Sequence, residues 1–284
     1  MSEVLDKYLK ACADDLPVMP TIASDIVKAV DDPNSSIGDI KDLIEQDSAV
    51  SAKLLKMANS ALYGFPSAIT SIAHAISLLG TRTVKNIVLA ISLKKSFRRF
   101  GLMEKLLWQH STLSGPVASK LAQLPQITVD KDDAFTAGLL HHIGKTALAN
   151  SHPDDYEQVI QRVYNEHIGF VEAETDKFGF DHSELGGAIA QLWNLPDSLV
   201  SVIRNHHDPG ALASMEEETA RLTALITITS TCLTKLGVGR SAPVDEIDPT
   251  SLPAWSFLDL TADDLDPILQ SCADQVKAAQ ELVN

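Results

Sequence analysis

Two adjacent histidines, His141 and His142, close the apolar stretch Ala137-Gly-Leu-Leu-His-His-Ile-Gly-Lys145. Imidazole nitrogens bind metal ions and move protons near neutral pH, so such a pair at the end of an apolar helix points to chemistry more than to packing. Four further histidines, His110, His182, His206 and His207, fall on segments that a helical bundle could bring to this pair. Three or four imidazoles suffice to hold one divalent ion, with zinc, iron, nickel or manganese as candidates. Asp181, Glu184 and Asp208 stand beside these histidines in the chain, where each could orient an imidazole or replace a ligand. His74, His152 and His167 read as ordinary core or surface residues. Other catalytic patterns are missing: there is no phosphate loop, no G-x-S-x-G and no G-x-G-x-x-G, and Gly237-Val-Gly239 lacks both a preceding strand and a third glycine.

Helices must carry these side chains, because apolar residues recur at helical spacing throughout and no alternation of strand length occurs. Residues 1–15 read as a short helix, followed by the breaker Leu16-Pro-Val-Met-Pro20. One apolar face then runs through Ile22, Ile26, Val27 and Val30, and a second, capped by Ser35 or Ser36, through Ile37, Ile40, Leu43 and Ile44. Asp47 caps the next helix, Thr70 caps the segment 72–80, and 83–97 is apolar on most sides. His110 lies on a long helix from Met103 to Leu124 that Pro116 should kink or break. One helix from Asp130 to Asn150 holds the central pair, and an amphipathic helix follows over 153–166. Gly179 ends a short helix begun at Phe170, and Asp181 caps the helix of His182, whose Gly186-Gly187 pair predicts close helix contact. A helix over 197–205 runs into His206 and His207, and Thr219–Leu236 is the last long apolar one. The fold class is therefore all-α.

The whole chain sets further bounds. Its 284 residues, 45% of them hydrophobic, are enough for one large helical domain or two small ones. Cys12, Cys232 and Cys272 lie far apart, which predicts neither a disulfide framework nor a cysteine zinc site and fits a reducing cytoplasm. The start of the chain shows no signal-peptide pattern, and the longest apolar run, near Ile87, is too short to span a bilayer; no membrane association is expected. A net charge of −15 repels phosphate backbones, so no nucleic-acid partner is expected. The one basic cluster, Arg82, Lys85, Lys94, Lys95, Arg98 and Arg99, reads as a solvated helix end.

Four motifs occur in an order that resembles the HDOD family, bacterial signalling modules distantly related to HD-domain metal phosphohydrolases. They are Leu16-Pro-x-x-Pro20, the segment around Glu45-Gln-Asp47, Leu54-Leu-Lys-Met-Ala-Asn-Ser-Ala-Leu-Tyr-Gly64 and Ile72-Ala-His-Ala-Ile-Ser-Leu-Leu-Gly80. The resemblance covers about residues 16–240 and departs at Ser48, where the family more often has proline. It implies a helical bundle of HD-domain type with an additional N-terminal helical subdomain: residues 1–100 as the N-terminal half, 101–240 as the HD-like half, and 241–284 as an acidic tail whose final helix docks on the body. It also implies that His110 and His141 hold the first two ligand positions of an HD-type metal set and that His142 stands where an aspartate belongs. His182, His206 and His207 match the extra histidines of the cyclic-dinucleotide phosphodiesterase branch. The late aspartate is missing, since residues 219–244 contain no carboxylate and Ser230 or Thr231 falls near its position. These features imply a non-catalytic signal-transduction module acting by protein contacts or a bound small ligand. The alternatives are a metal-dependent phosphohydrolase or phosphodiesterase acting on nucleotides, and a metal or redox sensor. Expected partners are signalling proteins supplying input or output domains, with a small molecule or nucleotide as ligand.

Overall fold

The computed structural model describes residues 5, 8, 9, 21–94, 101–166, 168–240 and 242–280, and among these there are helices and loops but no strand. The expected helix over 1–15, the breaker at 16–20, Cys12, His167 and the basic residues Lys95, Arg98 and Arg99 lie wholly or largely outside them. The chain divides into two compact units, Met1–Leu16 with Phe97–Ala273, and Pro17–Ser96 with Asp274–Asn284.

In the smaller unit five helices follow one another: α1 (Thr21–Asp31), α2 (Ile37–Glu45), α3 (Ser48–Ala58), α4 (Ile72–Leu79) and α5 (Thr81–Lys94). Ser36 starts α2 in a reciprocal box with Asp39, and Asp47 starts α3 by accepting from the N–H groups of Ala49 and Val50. The cap of α4 is Ser71, not Thr70: its hydroxyl accepts from the N–H of His74, and so the first turn lies one residue later than expected. Val84, Ile87, Val88 and Ile91 of α5 are all buried, as its unbroken apolar pattern predicts. Asn59 closes α3 and clamps the loop that follows. Its amide donates to the carbonyl of Ile69 at 2.8 Å and its carbonyl accepts from the Ile69 N–H at 2.7 Å, which holds Ile69 against Ala58 and Ala75.

The larger unit carries all six cluster histidines. Its helices are α6 (Leu102–Leu121), α7 (Lys131–Leu140), α8 (Ile143–Ser151), α9 (Pro153–Asn165), α10 (Phe170–Phe178), α11 (His182–Leu192), α12 (Asp197–Asn205), α13 (Glu217–Lys235), α14 (Pro253–Phe257) and the start of α15 (Leu265–Ala278). Helix α6 runs unbroken through Pro116. Proline removes a single N–H, and the buried Leu113, Val117 and Leu121 hold the helix along α7 regardless. The expected helix over 130–150 is instead two, parted at His141 and His142.

Small residues fix that break. A Cβ on Gly138 would stand 2.6 Å from the carbonyl oxygen of Ser114, and one on Gly144 only 2.0 Å from that of His182, so α7 is pressed on α6 and α8 on α11 at backbone contact. The paired glycines of α11 serve the same end, since Gly186 faces the backbone of Gly144 and a side chain of α12, and Gly187 faces Arg204. After Lys235 the chain stays anchored: the Lys235 ammonium donates to the carbonyls of Asp245 and Ile247, and Trp255 and Leu258 are buried. Cys232 and Cys272 are free and buried. No single helix among the described residues is long and apolar enough to cross a membrane.

Candidate metal centre and adjoining cavity

The break between α7 and α8 turns both rings of the central pair inward, His141 ending one helix and His142 beginning the next, with centroids 3.8 Å apart. Helix α6 brings His110, whose ring lies 4.9 Å from that of His142. The start of α11 brings His182, and the end of α12 brings His206 and His207. All six rings meet, in two groups whose ligand atoms lie within 4.8 Å of one another: His142, His182, His206 and His207, and His110, His141 and His142. All are buried except His207, whose surface is exposed.

Backbone carbonyls set the tautomers. Nδ1 of His110 faces the carbonyl of Val238 at 3.0 Å, Nδ1 of His141 that of Gly138 at 2.7 Å, and Nδ1 of His206 that of Ile203 at 2.8 Å. A carbonyl can only accept, so each Nδ1 carries the proton and each Nε2 presents a lone pair. The Nε2 atoms of His142 and His206 are buried without a hydrogen-bond partner among the described residues, which is costly unless a cation or a proton comes to them. Ser230 lies between Nε2 of His110 and Nε2 of His141, at 3.2 and 3.3 Å, and its single hydroxyl proton can satisfy just one of them. Thr231, the other residue near the missing aspartate, turns away and donates to the carbonyl of Thr227. Burial lowers the histidine pKa values, His110 to about 3 and His206 to about 4, so the rings are neutral, and the lone pair of His206 is free of any hydrogen bond. A set of inward, unprotonated and partly orphaned nitrogens fits a borderline divalent ion.

The three carboxylates expected to support the histidines do other work. Asp181 caps α11, accepting from the N–H groups of Ser183 and Glu184, and exposed Glu184 returns a bond to the Asp181 N–H. Exposed Asp208 accepts from the N–H of Gly210 within its own turn. The supporting carboxylate is Glu174 on α10, fully buried, which receives Nδ1 of His182 at 2.6 Å, the His182 N–H at 2.9 Å and the Tyr156 hydroxyl at 2.8 Å. It fixes Nε2 of His182 as the inward lone pair, which accepts from Nε2 of His207 at 3.1 Å. Burial pushes Glu174 up to about 7, against the pull of the Lys145 ammonium and its hydrogen bonds, and the three converging donors favour the carboxylate form. Sequence reasoning missed it, although a signal was there: Phe170, Ala173 and Phe178 mark the inner face of α10, and Glu174 shares their stripe.

Beside the rings opens a cavity of about 260 Å³ lined by His110, His142, His206, His207, Lys145 and Arg240, with Leu106, Phe170 and the hydroxyl face of α13 completing the wall. Lys145 is 5% exposed and its ammonium sits 4.0 Å from the centroid of the Phe170 ring. Burial brings its pKa down to about 8.

Fold and site define a helical domain closed round a buried imidazole cluster. The chain belongs to the HDOD domain family, whose model matches residues 16–209. An uncharacterized protein of Treponema pallidum (strain Nichols) is 29% identical over 195 residues, which is 69% of this chain but 38% of that one; the chain therefore spans well under half of that relative's length. Among solved structures, an HDOD domain protein of unknown function from Geobacter sulfurreducens aligns with a TM-score of 0.78 at 24% identity, covering 98% of both chains. A structure named "Putative phosphohydrolase" from Shewanella amazonensis SB2B aligns at 0.75 and 22% identity over 100% of this chain and 99% of the other. At these identities the structures establish the fold, which is the expected all-α one.

Proposed function

We propose that this chain is a signal-transduction module that binds one divalent cation through neutral imidazoles and does not hydrolyse phosphate esters. The observation that carries the reading is the donor set. His142, His182, His206 and His207 contribute nitrogens alone, and Ser230 occupies the space between His110 and His141 where a carboxylate would be needed. Two-metal attack on phosphate depends on a bridging carboxylate that offsets charge and places water, and neutral imidazoles do neither. His142 is common to both groups of ligand atoms, so two ions would compete for it.

A bound ion of the zinc or nickel type would cross-link the helices and offer a Lewis-acid centre. Glu174 orients His182, the carbonyls of Val238, Gly138 and Ile203 orient three more rings, and the bonds that do so are short enough to hold the site formed before an ion arrives. Output passes to partner proteins that carry receiver, kinase or cyclase domains, in the cytoplasm, where the free thiols of Cys232 and Cys272 stay reduced.

Elemental analysis of untagged protein tests this reading beside the double variant His142→Ala, His182→Ala. The expected result is about one equivalent of metal in the parent, none in the variant, and no phosphate released from nucleotides with added manganese or iron. Metal-dependent release that disappears in His141→Ala would establish the phosphohydrolase reading instead.

A further inference from the structure

Two cations face the cavity without an anion. Neither the Lys145 ammonium nor the Arg240 guanidinium has a hydrogen-bond acceptor or an ion-pair partner among the described residues, and both line the same space, where the Arg240 charge adds to the burial that lowers the Lys145 pKa. Glu174, the buried acid whose field reaches Lys145, is bonded to His182 and Tyr156 and does not line the cavity, which has no carboxylate among the described residues of its wall. Nor does α13 offer compensation: the Thr227 hydroxyl donates to the carbonyls of His206 and Thr223, Thr231 and Thr234 donate to carbonyls of their own helix, and the wall they form is uncharged. Glu174 and Asp181 attract the Lys145 ammonium through space, but burial outweighs them, and an anion bound in the cavity would offset the remaining cost.

We propose that the cavity binds a small phosphate-bearing metabolite, no larger than a mononucleotide, with its phosphate between Lys145 and Arg240 and its organic part against Leu106, Phe170 and Ile247. A phosphate monoester is close to a dianion at neutral pH and so matches two cations, and the planar guanidinium fits its oxygens in pairs. The volume of about 260 Å³ lies just under the range of roughly 300–1,000 Å³ usual for drug-sized ligands, which sets the size limit. The proposal rests on the reading above in one respect: the ester is held and not cleaved.

Titration calorimetry on the full chain tests it, with inorganic phosphate, adenosine 5′-monophosphate and adenosine as probes at matched ionic strength, before and after chelation. The phosphate-bearing probes should bind, the nucleotide more tightly, and adenosine should not. Lys145→Met and Arg240→Gln should each weaken binding at least tenfold, with or without chelation; Arg240 is only half-buried, so its variant should keep the fold. Absence of heat with both phosphate probes overturns the proposal, as does equal binding of adenosine or unchanged affinity in both variants. Binding that vanishes on chelation would put the anion on the metal and overturn it too. Cleavage of the nucleotide with binding still dependent on Lys145 and Arg240 would instead sink the non-hydrolytic reading and leave the anion site standing.

Discussion

Glu174 decides which nitrogen of His182 faces the other rings, and it does so from a position that the linear order of the chain hides. Glu174→Gln keeps the shape but weakens the hold on Nδ1, and the expected loss is about 10–100-fold in metal affinity with the helical signal intact, read by competition with a chromophoric chelator. The buried rings of His110, His141, His142, His182 and His206 also tie stability to pH. Burial keeps His110 neutral to about 3 and His206 to about 4, and it lowers the other three well below 6.5, whereas in the unfolded chain all five take up a proton near 6.5. Between 6.5 and about 4 the unfolded state therefore binds more protons, so stability present above 6.5 is lost as the pH falls through that window. In metal-free protein the urea midpoint should drop from pH 7 to pH 5. The slope, up to about 1.4 kcal/mol per pH unit for each histidine, should be shallower by about one proton in His110→Gln.

At the scale of elements, the site depends on helices that touch backbone to backbone. Gly144→Ala would drive a methyl into the His182 carbonyl, which is backbone and cannot step aside, whereas a Cβ on Gly169 meets nothing within 4 Å. Gly144→Ala should cost about 3 kcal/mol or more in chemical denaturation, the upper end for overpacking, and Gly169→Ala should change little. In the smaller unit, Asn59→Ala removes both bonds to Ile69 and should cost about 1–3 kcal/mol, since the Ile69 backbone would lose its partners in a half-buried loop. Caps were legible in the order of residues wherever one polar side chain stood alone before an apolar run, as with Asp47 and Asp181. They were ambiguous at Thr70-Ser71, where two neighbours offer the same hydroxyl and the packing of Ile72 and Ile76 picks the register.

At the scale of the whole molecule, a cluster drawn from four separate stretches makes metal binding a folding term. With free metal at about 100 times the dissociation constant, stabilisation should reach about 2.7 kcal/mol, or roughly 5–10 °C in midpoint temperature for a unit of this size. A thermal scan with and without chelator should show that difference in the parent and none in His142→Ala.

By itself the sequence determined the helices, because apolar spacing and capping residues act within a few positions of one another, and it determined the family through four ordered motifs. It also singled out the six histidines by type, since imidazoles on apolar segments are conspicuous wherever they end up. Only the tertiary structure decided that they converge, that the helix carrying the central pair breaks between α7 and α8, and that Ser230 rather than Thr231 enters the cluster. It also decided that Glu174 supports His182 while Asp181, Glu184 and Asp208 serve their own turns. The physical reason is range: a cap is satisfied by its neighbours in the chain, but the partner of a buried polar atom is chosen by which helices can approach, and here glycines at 138, 144 and 186 set that approach.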